Sequence, residues 1–244
     1  MPVYRAPRND ISRLACLQHA YTAAQQDVVQ TGDPSVITYE LLSPETVNAL
    51  KAILPQFETA YNNVAAKLGL RAKEVEESEA ALDELKTYLR DLWEVMRRRV
   101  HRRHEPVAVL NFYRLTADGH LPSLKNRQEW LAMAEAVIQG DAEAVAAGYE
   151  AAFNPSTAEL QAILETARQE VADIDLADKA HDQAQEALAL LRPQADEIIQ
   201  EVIDELRFAL RKQDAPSQRR IMRRYGARFH YLPDETPDAD EPDA

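Results

Sequence analysis

Residues 44–103 read PETVNALKAILPQFETAYNNVAAKLGLRAKEVEESEAALDELKTYLRDLWEVMRRRVHRR, and the fold turns on how this stretch is understood. Val47, Leu50, Leu54, Phe57, Tyr61, Val64 and Leu68 step by three and four, and the register continues through Arg71, Val75, Ser78, Leu82, Leu85, Leu89, Leu92 and Met96. Residues at that spacing share one face of a helix. Ser43 can accept from an orphan backbone N–H and Pro44 suits the first helical position, which sets the start. Gly69 offers the rival reading, a hairpin. Yet Arg71-Ala72-Lys73 supplies no cap for a new helix, and a new helix need not resume the old phase. The stretch is therefore expected as one helix from about Pro44 to Arg103, bent at Pro55 and weakened at Gly69, roughly 90 Å long at about 1.5 Å per residue.

A second stretch repeats the pattern. Leu160, Leu164, Ala167, Val171, Ile174, His181, Leu188, Ala195, Ile199, Val202, Leu206 and Ala209 hold a comparable seam, with Asp178 and Gln185 as polar interruptions and Pro193 as the expected kink. The capping residues of Asp173–Asp178 make a turn there its main rival. The surroundings of the two stretches also correspond. Each opens at a proline (Leu42-Ser43-Pro44 and Phe153-Asn154-Pro155), carries Ala-Ile-Leu at 52–54 and 162–164, and ends in arginines. Each then has a second proline (Pro106, Pro216), an apolar run to Tyr113 or Tyr225, and a Leu-Pro exit at 121–122 or 232–233. Matches in the same order point to an internal duplication, copy 1 over 42–122 and copy 2 over 153–233. A sustained heptad-like repeat favours coiled-coil pairing, here antiparallel within the chain.

Outward from these copies, residues 1–9 read as an arm and Ile11 to about Val29 as a packing helix, stopped by Thr31-Gly32-Asp33-Pro34. Together, 1–41 form an arm and packing helix. Segment 123–152 carries a helix over Leu124–Ile138, ended by Gly140-Asp141, and a second over Ala142–Glu150. The tail, 234–244, is rich in proline and acid and reads as disordered. The expected fold is all-α: an elongated helical bundle of long, kinked, antiparallel helices with shorter padding helices.

Composition agrees with helix, since 6 Gly against 45% hydrophobic residues is too few for the turns of a β-sandwich. The charge is 28 Lys+Arg against 41 Asp+Glu, a net of -13. Asp234, Glu235, Asp238, Asp240, Glu241 and Asp243 contribute six of those acids, leaving about -7 on the rest. That balance opposes non-specific binding to nucleic acid or anionic lipid. No apolar run is long enough to cross a membrane and the start lacks a signal-peptide core, so the expected setting is cytoplasmic. Cys16 is the sole cysteine, which excludes an intrachain disulfide or a cysteine-based metal cluster, and it reads as a small core residue.

Two basic clusters are the main candidates for chemistry. Arg97, Arg98, Arg99, Arg102 and Arg103 end the first stretch, and Arg219, Arg220, Arg223, Arg224 and Arg228 follow the second. As structure, they complement helix dipoles and pair with acids such as Glu74, Glu76, Glu77 and Glu79. As function, they form a nucleic-acid or polyphosphate patch with Tyr225, Phe229, His230 and Tyr231 as stacking groups. The first reading carries more weight, because the net charge opposes the second. Asp178, His181 and Asp182 share a helical face, but the paired Glu-x-x-His motifs of a di-iron bundle are missing, and no metal or cofactor is expected. No P-loop, dinucleotide fingerprint or nucleophile elbow occurs, so a catalytic site is not expected either. Ile199, Ile203, Leu206, Phe208 and Leu210 cover more of the second stretch than one seam needs, which suggests a self-association strip. The residues thus point to a scaffold or protein-interaction protein, with self or another protein as partner, no membrane, and nucleic-acid binding as the alternative.

Overall fold

The computed structural model describes residues 2–30 and 37–231. The expected stop at 31–34, the Leu232-Pro233 exit and the acidic tail lie outside the described residues. In chain order the elements are β1 (Val3–Arg5), α1 (Asp10–Gln26), β2 (Val28–Gln30), β3 (Ile37–Tyr39), α2 (Pro44–Arg103), a 3-10 segment (Val107–Tyr113), α3 (Arg127–Ala146), α4 (Thr157–Leu210), α5 (Ala215–Arg224) and β4 (Arg228–His230). The fold is all-α, with two short antiparallel ladders, β1 with β4 and β2 with β3.

Both long helices are continuous. α2 runs 60 residues through Pro55 and Gly69, and α4 runs 54 through Asp173–Asp178 and Pro193. Neither hairpin forms, because the phase of the apolar stripe carries across each candidate break. Ser43 caps α2 as expected, its Oγ accepting from the Thr46 N–H at 3.2 Å. The second start is built differently. Pro155 precedes the helix, and Ser156 is the cap, its Oγ accepting from the Glu159 N–H at 3.3 Å while its own N–H donates to Glu159. That reciprocal pair is a capping box.

The contacts divide the chain into two compact units, residues 1–66 with 182–244, and residues 67–181. These cut across segments 42–122 and 153–233, since each unit joins part of α2 to part of α4. In the first unit α1, the start of α2, the end of α4 and α5 enclose a core that includes Leu17, Leu50, Phe57, Ile203, Leu206 and Tyr225. Glu205 of α4 ties the start of α2 by accepting from the Ser43 N–H and Oγ and the Thr46 Oγ1 at 2.7–2.8 Å.

In the second unit α3 and the 3-10 segment pack on the end of α2 and the start of α4, around Leu85, Leu89, Trp93, Met96, Tyr113 and Leu164. Tyr88 meets Glu159, and Arg71 meets Asp178, so α2 and α4 run antiparallel here. The α2 stripe is not buried throughout, since Leu68 is about half exposed.

Corresponding parts recur in both units. Tyr113 donates to Asp141 at 2.5 Å in the second, and Tyr225 donates to Asp27 at 2.6 Å in the first. After each tyrosine comes a left-handed residue, Arg114 (φ 59°) or Gly226 (φ 87°). The Leu115 N–H then bonds to the Leu110 carbonyl, as the Ala227 N–H does to that of Met222. This is the six-to-one bond of a Schellman turn.

Three sequence expectations change. The arm at 1–9 contains β1, which pairs with β4 over 200 residues away in the chain. The packing helix stops at Gln26, because Val28–Gln30 leave it to pair with β3. The two short helices of 123–152 are one: α3 starts at the cap Asn126 and continues through Gly140-Asp141 to Ala146. Asp141 caps nothing. It is buried, and accepts from the Tyr113 hydroxyl, the Ala152 N–H at 2.8 Å and the Thr157 Oγ1 at 2.7 Å.

Candidate functional site

The first basic cluster sits at the end of α2, within the second unit, and three of its five arginines are paired with acids. Arg97 pairs with Glu94 at 2.7 Å. Arg99 is nearly buried and donates from Nε to both Glu105 oxygens (2.9 and 3.1 Å) and from Nη1 to the carbonyls of Glu150 and Ala151. Arg103 pairs with Glu150. The partners are therefore Glu94, Glu105 and Glu150, not the expected Glu74–Glu79, which lie five turns or more back along α2. Arg98 and Arg102 remain exposed. A shallow cavity of about 440 Å³ borders Arg97, Arg98 and His101, but Glu94 and Asp118 also line it, so its charge is mixed.

The second cluster lies in the first unit and does not form one surface. Arg224 pairs with Asp27 at 3.1 Å. Arg223 lies over the rings of Phe229 and Tyr231 and donates to the Tyr231 hydroxyl. Arg219 and Arg220, on α5, each have a partner. Tyr225, expected as a stacking group, is fully buried in the core, and Phe229 packs edge-on against Tyr4. Bases cannot stack on a ring that the core already covers.

The proposed self-association strip is mostly interior. Ile199, Ile203, Leu206 and Leu210 are 0–3% exposed, buried by the chain's own α1, α2 and α5 residues. Only Phe208 stands out, at 68%. Sequence counting assigned α4 more apolar surface than one stripe needs. It could not see that three neighbouring elements cover the excess.

Leu190 was missed. It is 76% exposed and lies eighteen residues before Phe208 on α4. Eighteen residues are five whole turns, so the two side chains leave the helix in the same direction. Between them on that face stand the exposed residues Gln194, Glu197, Glu201 and Asp204. Leu41 and Ala209 widen the apolar surface beside Phe208, along a depression of about 470 Å³. Arg211 lies 4.0 Å from the Phe208 ring centre.

Among the other candidates, Asp178 is engaged by Arg71, and His181 and Asp182 also have partners. Glu74, Glu170 and Asp173 bring carboxylate oxygens within 4.8 Å of one another in the second unit, a grouping invisible in sequence because it joins two helices. No helix among the described residues is long and apolar enough to cross a membrane.

Cys16 is buried in the core, as expected, and burial lifts its thiol from 9.0 to about 11. Burial likewise lifts the Tyr4 hydroxyl from 10.0 to about 12, and raises those of Tyr113 and Tyr225, with Asp141 and Asp27 adding to it. Each group is neutral below its pKa, and the unfolded chain ionises first. Their contribution to stability is therefore whole below about pH 9 and is lost as pH climbs towards about 12. The thermal midpoint should hold near neutrality and fall steadily above about pH 9. A midpoint that stays level to pH 11 would contradict this burial.

No family model matches the chain, and no curated protein or solved structure matches it.

Proposed function

We propose that the protein is a non-catalytic helical scaffold that binds another protein through the outer face of α4 between Leu190 and Phe208. The exposure of these two large apolar side chains on one helical face carries the reading. A helix normally turns such residues inward, and an outward pair at a five-turn interval gives a partner two anchors. The acids between them define the partner's chemistry. Two copies meeting on this face would set Glu197 and Glu201 against the same acids, Asp204 being paired with Arg207 at 3.3 Å, and like charges across an interface are strongly unfavourable. A second copy is therefore a poorer occupant than a partner presenting basic residues between apolar ones. This replaces the self-association expected from the apolar count. The nucleic-acid alternative is weakened by the internal pairing of Arg97, Arg99, Arg103 and Arg224.

The wild-type chain should sediment as a monomer at tens of micromolar. Leu190→Glu and Phe208→Asp should each fold normally, with stability changed by no more than about 0.5 kcal/mol, as at most exposed sites. Affinity capture should recover a partner with wild type, lose it with either variant, and weaken with added salt. A wild-type dimer that Phe208→Asp dissociates would restore self-association. Capture unaffected by both substitutions would remove this face.

A further inference from the structure

In the first unit, a cavity of about 280 Å³ is lined by Arg5, Arg8 and Arg228, with Ser12, Cys16 and Gly226 among its other walls and no carboxylate in the lining. Three separate pieces of chain bring the cations together. β1 alternates, sending Tyr4 towards Phe229 and leaving Arg5 on the exposed side. β4 does the same with Phe229 and Arg228. Arg8 follows Pro7, immediately before the Asn9 cap of α1. Gly226 closes one side, where a Cβ would stand only 2.9 Å from the Cys16 Cα, so the backbone lies directly against α1.

Among the described residues nothing balances this charge arrangement. Arg5 and Arg228 are direct partners in the β1–β4 ladder, and like charges so placed repel. Among the described residues none of the three guanidinium groups has an ion-pair or hydrogen-bond partner. The nearby carboxylates are taken: Asp10 by Arg13 and Arg192, and Asp196 by Arg13. Among the described residues no carboxylate neutralises this spot, although the chain carries 41 acids against 28 bases. Asn9 and Ser12 already satisfy each other in a capping box, so the guanidinium groups themselves are the donors on offer.

We propose that this cavity is an anion site that takes a phosphate group, free or carried on a small ester, held by Arg5, Arg8 and Arg228. Guanidinium forks match phosphate oxygens two at a time, and several around one dianion balance its charge. The volume lies at the lower edge of small-molecule sites, about 300 Å³ and upward. No aromatic ring lines the cavity, as stacking on single-stranded nucleic acid would require. The site shares no residue with the α4 face, so the two proposals can fail independently.

The test titrates the full chain with inorganic phosphate, pyrophosphate, glycerol phosphate and a short oligonucleotide at constant ionic strength. Heat of binding and thermal midpoint are the readouts. At least one small anion should bind saturably and raise the midpoint. Arg8→Gln should weaken that binding about tenfold, and Arg5→Gln with Arg228→Gln about a hundredfold or more, by loss of charge-assisted hydrogen bonds. Without phosphate the double variant should melt at or above the wild-type midpoint, because the cross-strand repulsion is gone, which separates lost binding from lost folding. Tighter binding of phosphate than of glycerol phosphate would identify the free ion as ligand, and the reverse an ester. Failure of all three small anions to saturate, binding unchanged in the double variant, or binding of the oligonucleotide alone would each overturn the proposal.

Discussion

Gly140→Ala is expected to lower the thermal midpoint by about 10 °C, although the same change elsewhere in these helices should raise it. Glycine inside a helix costs about 1 kcal/mol relative to alanine, so the substitution begins with a gain of that size. At Gly140 the added Cβ would lie 1.7 Å from the Phe112 carbonyl oxygen and 2.7 Å from its carbon, both backbone atoms of the 3-10 segment. They cannot swing aside as a flexible side chain can. α3 and the 3-10 segment would have to part by more than an ångström, pulling on the Tyr113–Asp141 bond and uncovering Val109, Leu110 and Tyr113. Overpacking together with a broken buried hydrogen bond costs about 4 kcal/mol, which outweighs the propensity gain and leaves a net loss near 3. At about 2–4 °C per kcal/mol for a chain of this size, that is the expected shift. Gly69→Ala is the control. It is also within a helix, but a Cβ there meets nothing within 4 Å, so stability should rise by up to about 1 kcal/mol. Paired melting curves read both, and equal shifts of one sign would sink the account of Gly140.

Ile203→Asp is expected to abolish cooperative folding of the first unit, where Phe208→Asp, five residues along the same helix, leaves it intact. Ile203 is 0% exposed and lies among Leu50, Val202 and Leu206. An aspartate there leaves a cavity and places a carboxylate where no cation waits, costing about 4 kcal/mol or more even after the group takes up a proton. Circular dichroism with chemical denaturation should show a lost or strongly shifted transition. A folded, soluble Ile203→Asp chain with wild-type stability would mean that this face of α4 is a surface, and would restore the self-association strip.

These two sites also show where sequence reasoning reaches and where it stops. The continuity of α2 and α4 was legible because it is local: the stripe keeps phase across Gly69 and across Asp173–Asp178, and one N-cap side chain, Ser43, marks its start. The burial of Cys16 and the all-α class followed from composition and spacing. What covers each stripe was not legible, because it depends on contacts between distant residues. Arg13 meets Asp196 across 183 positions, and Arg5 meets Arg228 in a ladder that no local pattern announces. Gly140 and Asp141 read locally as a helix stop, yet the close approach of the 3-10 segment makes them a contact point and an acceptor inside one helix. The arginine clusters stood out as charge in the sequence. Tertiary structure alone decided which guanidinium groups find carboxylates and which, Arg5, Arg8 and Arg228 among them, line a cavity instead, because pairing depends on distances of a few ångströms that periodicity does not encode.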